Sequence, residues 1–347
     1  MCRRYTSSRM EGLPFRTLLF RQQPRRHVSQ GIQSGQAGHD PAMARSRFLT
    51  MTSPRLQIMR RNRAVTQVNV SICFYLPKPT ADVAQAISLS LQRFVDAIGI
   101  HALNYYFGED GEPRELDDAA WATIRTKLHH PVAPSVILFT DAPYPEKIEF
   151  EYRGKDIHAA IHRRDPGPVC AVRFIVPLSW MNTHGPDGVR KLALALAAPL
   201  PFSSGHAGLA VTGFLGVGSV TSEVVPQLVQ HPGVDLMELD LVSCEIGTRL
   251  RVPHWMTFIG EPSLSAMGGV DFLRSQLHAP GTTVEALDAS RAVVTLGPEP
   301  LAGGPDQPLP AYRELARVLE PWAFHATWNP ADFPKEDFLP WDRRFLD

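Results

Sequence analysis

The stretch Pro253-His254-Trp255-Met256-Thr257-Phe258-Ile259-Gly260, with Met267-Gly268-Gly269 a few residues on, decides how this chain reads. Aromatic and β-branched residues fill it and a glycine closes it, which is strand chemistry running into a turn. A strand is expected over residues 251–259 and a short helix over 270–277. No side chain in the stretch is a ready nucleophile. Trp255 and Phe258 offer large apolar area to a core. Gly260, Gly268 and Gly269 fit turns or close backbone approach.

The same pattern extends outward. Residues 65–76 (VTQVNVSICFYL) alternate, are rich in strand formers and stop at Pro77-Lys78-Pro79. Helical spacing of Val83, Ile87, Leu91, Phe94 and Ile98 follows, up to Gly99. Further strands are expected at 103–107, 135–140, 148–152, 157–161, 169–177 and 207–215. Helices are expected at 117–128, 187–198, 222–230 and 310–319, and a hairpin at 284–296. The tail from Trp322 reads as packed but irregular. Strands and helices mix without regular βαβ alternation. That points to an α+β fold of mostly antiparallel sheet with flanking short helices. It forms one large domain or two tightly packed lobes, with a possible boundary at the loop 199–205.

Composition narrows the function. The chain has 347 residues, 44% hydrophobic and 20% charged, which is ordinary for a globular protein with an ample core. The formal net charge of zero hides an asymmetry. Residues 1–63 carry 13 Arg and only Glu11 and Asp40 as acids, leaving 22 basic and 33 acidic residues, a net of −11, in 64–347. So acidic a body is a poor nucleic-acid binder, because phosphate contacts need Lys and Arg, and it suits a basic protein surface. Residues 1–62 read as a basic extension, either a disordered arm, a transit-like peptide or translation upstream of the real start at Met43, Met51 or Met59; the last is preferred. Residues 63–347 read as the folded domain. Arg16 splits the one apolar patch of the extension, so no secretory signal is expected. No apolar run reaches the length of a membrane span. The four cysteines show no CxxC pair and read as reduced thiols. These features point to the cytoplasm.

Candidate chemistry is sparse. His158-x-x-x-His162 has metal-ligand spacing if helical, but it follows a turn and lacks the glutamate of a zinc protease motif. Ser203-Ser204-Gly205-His206-Ala207-Gly208 offers a serine beside a histidine, yet it reads as a helix-to-strand turn and not as a nucleophile elbow. No cofactor, metal or catalytic set is expected, and a hydrolase or metalloenzyme using His158 and His162, or Ser204 and His206, is the alternative. Two acidic runs could meet a cationic partner: Glu109, Asp110, Glu112, Glu115, Asp117 and Asp118, and then Asp235, Glu238, Asp240 and Glu245.

The chain also resembles the immunity family of the type VI secretion system. The likeness spans residues 65–345. Its sharpest element is the Trp255-Met256-Thr257-Phe258-Ile259-Gly260 run with Gly268-Gly269 nearby. Phe74-Tyr75-Leu76, Asn104-Tyr105-Tyr106-Phe107, the run from Leu200 to Ala210 with Gly205 and Gly208, and Leu309-Pro310-Ala311-Tyr312-Arg313 are similar to other family motifs and occur in the same order. His254 departs from the family's Asn, and the basic extension lies outside the pattern. The resemblance implies a non-enzymatic protein that binds and neutralises a cognate effector toxin, in several cases a nuclease whose active site is blocked. An adaptor of the secretion apparatus is a further alternative.

Overall fold

The computed structural model describes residues 56–60, 63–140, 146–159, 167–213, 215, 219–236, 238–330 and 333–346. The chain divides into units of Met1–Ser53 and Pro54–Asp347, and every described residue lies in the second. The expectations for residues 1–50 therefore fall outside the described residues. Leu56 and Ile58 are buried in an apolar cluster with Val68, Val211 and Phe333, so packing begins upstream of residue 63.

In chain order the strands are β1 (Met59–Arg60), β2 (Arg63–Ala64), β3 (Thr66–Leu76), β4 (Tyr105–Phe107), β5 (Pro113–Glu115), β6 (Ser135–Phe139), β7 (Glu149–Arg153), β8 (Cys170–Val176), β9 (Ser204–Gly213), β10 (Val234–Leu236), β11 (Met256–Gly260), β12 (Thr282–Ala286) and β13 (Arg291–Leu296). The helices are α1 (Thr80–Ile98), α2 (Asp118–Leu128), α3 (Leu178–Ala197), α4 (Val220–Gln230), α5 (Leu239–Ser243), α6 (Ser263–Ala266), α7 (Gly269–Gln276), α8 (Pro310–Leu319) and α9 (Lys335–Asp342).

Apart from the β1–β2 pair, the strands form a single sheet in the order β12-β13-β11-β9-β3-β8-β7-β6-β4-β5. Every neighbour along that path is antiparallel, and β10 joins β9 in parallel. This is the expected α+β architecture. The sheet runs unbroken across residues 199–205, so the fold is one domain and not two lobes.

The two faces of the sheet differ, and the register shows how. Phe74 lies opposite Gly205 and Val172, while Phe174 lies opposite Ile72 and Phe150. These residues share one face, because side chains alternate along a strand. That face is aromatic: Phe94 of α1 meets Phe174 edge-on at 5.0 Å, and Phe74 meets Phe258 at 5.1 Å and Phe202 at 5.4 Å. Gly260 must lack a side chain, since a Cβ there would sit 2.2 Å from the carbonyl oxygen of Phe202. The opposite face carries Cys73, His206, Arg173 and Glu151 in register. Arg173 pairs with Glu149 at 2.9 Å and with Glu151 at 2.5 Å there. Phe324 and the apolar side of α5 pack over Cys73 and Tyr75, covering this end of β3, which is buried along its whole length.

Several expectations are corrected. Ser204, Gly205 and His206 belong to strand β9; the Ser-Ser-Gly composition reads as a turn, but antiparallel pairing with β3 and β11 overrides it. The described part of 157–161 is a turn closed by the Ala159 N–H donating to the Asp156 carbonyl at 3.1 Å. Gly185-Pro186 is a kink inside α3, at Gly185 φ 72°, where a preceding turn was expected. The tail contains α9, helical despite Pro340, and anchored by Phe338 and Trp341 in the apolar cluster.

Candidate functional site

A buried polar cluster forms where β9, β10 and the approach to β11 meet. Pairing places His206 opposite Thr257 and Cys73, and Asp235 opposite Ala210. His254 lies in the irregular run just before β11. His206, Asp235 and His254 are all buried, and one ligand-type atom from each lies within 4.8 Å of the others. Arg251 donates through Nη2 to both carboxylate oxygens of Asp235 at 3.1 Å. His254 Nε2 lies 3.0 Å from Asp235 Oδ2. Arg344, beyond α9, reaches Asp235 Oδ1 at 3.4 Å and donates to the Pro232 carbonyl at 2.7 Å.

Burial alone would raise the pKa of Asp235. The Arg251 charge and the His254 contact outweigh it and hold the carboxyl well below its ordinary value. Burial lowers the pKa of His206 strongly, aided by His254, and burial likewise lowers that of His254. Burial brings Arg344 down to about 10 against the pull of Asp235.

The two imidazoles are stacked at 3.9 Å between centroids with an 18° tilt, yet their surroundings are opposite. Both ring nitrogens of His254 face oxygens: Nδ1 lies 2.7 Å from the Val252 carbonyl, and Nε2 faces Asp235. A neutral ring has one N–H for these two acceptors. Among the described residues neither nitrogen of His206 has a hydrogen-bond partner, although both are buried. Ser204 Oγ is likewise unpartnered among the described residues, so no hydrogen bond joins Ser204 to His206.

The acidic runs separate sharply. Glu109, Asp110, Glu112, Glu115, Asp117 and Asp118 are all exposed, along the β4–β5 hairpin at the sheet edge and the start of α2. Asp110 pairs with Arg114 at 2.7 Å, and Asp117 caps α2 by accepting from the Ala120 N–H at 2.7 Å. Asp235, expected on a partner surface, is instead 1% exposed within the cluster above. Asp240 is half-buried. Glu238 is half-buried, and burial, then Asp240, pushes its carboxyl up to about 7. Glu245 accepts from Thr327 Oγ1 at 2.8 Å. His158 is exposed in a turn, and His162 lies outside the described residues.

Of the signature positions, Gly205, Gly208, Trp255, Thr257, Phe258 and Gly260 are buried. Trp255 is 1% exposed and its Nε1–H donates to the Gly297 carbonyl at 3.1 Å. Thr257 and Phe258 are buried in β11. Gly268 adopts φ 97° at the entry to α7, and Gly269 begins that helix. Gly205 packs on the Phe74 ring, and Gly208 lies beside His254.

Reading along the sequence missed Arg251, His254 and Arg344 as a group. The available signal was polar residues set inside apolar strand runs, His206 in SGHAGLAV and Asp235 in GVDL.

Among the described residues, no helix is long and apolar enough to cross a membrane. No curated protein matches the chain. Among solved structures, a Pseudomonas aeruginosa type VI secretion protein, PA0821, is similar at 17% identity with a TM-score of 0.68, over 84% of this chain and 87% of that one. That likeness concerns the fold. The family model TsiV, described as type VI immunity for VRR-NUC, matches residues 86–345. The match covers most of the chain, including the Trp255–Gly260 signature and the buried cluster, and the chain belongs to this family of type VI immunity proteins.

Proposed function

We propose that this protein binds one cognate type VI effector, a nuclease acting in the cytoplasm, and neutralises it stoichiometrically by covering its active site. Family membership over residues 86–345 is the observation that carries this reading, and the family description supplies the nuclease class. A nuclease cleft is built to hold phosphate and is correspondingly basic. The −11 of residues 64–347 is complementary to it.

The contact surface we assign is the exposed acidic run Glu109, Asp110, Glu112, Glu115, Asp117 and Asp118. It crowns a sheet edge formed by β5, a strand of three residues. Its carboxylates occupy the substrate's place electrostatically and speed encounter, while neighbouring surface supplies lasting affinity. The protein acts here as a binder and not as an enzyme, a reading supported by the missing Ser204–His206 hydrogen bond.

The test is a titration of purified effector nuclease with this protein. Activity should fall linearly to zero at one equivalent. Abolition at well below one equivalent would show turnover and contradict neutralisation by binding.

A further inference from the structure

We propose that His206, Asp235 and His254 form a site for a first-row transition metal of the zinc class, held inside the fold by strands β9 and β10 and the approach to β11. Among the described residues, this is the one place where three metal-ligating side chains converge.

Three observations carry the assignment. First, His254 presents Nδ1 to the Val252 carbonyl at 2.7 Å. A metal-ligating histidine characteristically donates its second ring N–H to a carbonyl, which fixes the tautomer and frees Nε2. In the Nδ1–H tautomer, Nε2 is a bare lone pair 3.0 Å from a carboxylate oxygen, an arrangement that a bridging cation would relieve. Two donors each about 2.0–2.2 Å from one tetrahedral ion stand about 3.3–3.6 Å apart, so binding would spread this pair slightly. Second, His206 is buried with both nitrogens unpartnered among the described residues. A buried polar group in that condition calls for a missing ion or water. Third, Asp235 is already oriented by Arg251 Nη2, which touches both its oxygens, as outer partners orient a ligating carboxylate.

The donor set selects the metal. Two imidazoles and one carboxylate suit zinc and its neighbours, whereas calcium and magnesium need oxygen shells. Two guanidiniums, Arg251 and Arg344, lie against the same carboxylate and weaken the site for any cation. Asp342 offsets both electrostatically. Coordination by both rings requires the 3.9 Å stack to open through rotation of His206. No hydrogen bond opposes that rotation, since neither nitrogen is engaged. The metal would tie strands β9 and β10 to the irregular run before β11, a structural role independent of any effector.

The experiment is elemental analysis of the full chain purified without chelators. It is followed by titration of the metal-free protein with Zn2+ and with Co2+, read by visible absorption and thermal melting. The wild type should hold about one metal per chain and melt higher with Zn2+. His206→Gln, which breaks no hydrogen bond, should stay folded by circular dichroism and lose affinity by about 10–100-fold or more. His254→Gln should do the same, and serves if His206→Gln fails to fold. A folded wild type that takes up neither metal at tenfold excess, or a folded variant that binds as tightly as wild type, would overturn the site.

Discussion

Asp235→Asn is the sharpest perturbation of the fold's polar interior. Asp235 is 1% exposed and touches Arg251 at 3.1 Å, His254 at 3.0 Å and Arg344 at 3.4 Å. Neutralising it removes the carboxylate that two buried guanidiniums contact, their side chains each 6% exposed, although Arg344 keeps the Pro232 carbonyl. Removing one partner of a buried ion pair costs about 3–5 kcal/mol. Asparagine still offers one acceptor oxygen, which places the expected loss near the lower end, about 3 kcal/mol. With denaturant slopes of roughly 1–3 kcal/mol/M in urea, the midpoint falls by about 1 M or more. The assay is urea unfolding followed by circular dichroism, with chelator present so that bound metal does not enter the comparison. A triple variant, Asp235→Leu with Arg251→Met and Arg344→Met, should regain most of the loss, because apolar replacement of a buried ionic group is close to neutral or stabilising. An Asp235→Asn loss below about 0.5 kcal/mol would refute the reasoning, since that is the scale of an ordinary surface change.

Other consequences follow from the same geometry. Glu238 titrates at about 7 in the fold against an ordinary 4.5. The folded state therefore holds this proton more tightly, and stability falls as pH rises from 4.5 through 7. At 1.36 kcal/mol per unit the upper limit is about 3 kcal/mol. Glu238→Gln should flatten that slope and raise stability at pH 8 by about 1–3 kcal/mol; an unchanged slope in unfolding at pH 5 and pH 8 would contradict it. Trp255→Ala removes a buried indole and its bond to Gly297, for a loss of about 3–5 kcal/mol by chemical denaturation. Gly205→Ala puts a Cβ 2.5 Å from the Phe74 ring and 2.7 Å from the Cys73 carbonyl, so a loss of about 1–3 kcal/mol is expected. Reversing Glu109, Glu112 and Glu115 to Lys should slow effector association about tenfold at low salt, measured by surface plasmon resonance. An association rate indifferent to both charge and salt would remove the acidic run from the interface.

The sequence disclosed the fold where local chemistry and tertiary context agree. Residues 65–76 and 310–319 carry strong periodicity with proline at a boundary, and they became β3 and α8 with little adjustment. Context overruled composition at Ser204-Gly205-His206, where two flanking strands impose extended backbone on residues that favour turns. Strand β10 has three residues, too few for alternation to register. The polar cluster was illegible for a different reason. His206, Asp235, Arg251, His254 and Arg344 come from separate segments, and only the parallel docking of β10 on β9 and the return of the tail unite them. The acidic run at 109–118 was legible and is exposed. Its companion at 235–245 was not, because charge along a sequence says nothing about depth.

Neutralisation by binding is tested most directly by co-expression with the product of the neighbouring gene. Survival of the host cell and co-purification of the two proteins would be scored together, using a chain that starts at Met51. The account predicts rescue with a stable one-to-one complex. Rescue without a complex would contradict it, because the toxin would then have to be undone by chemistry.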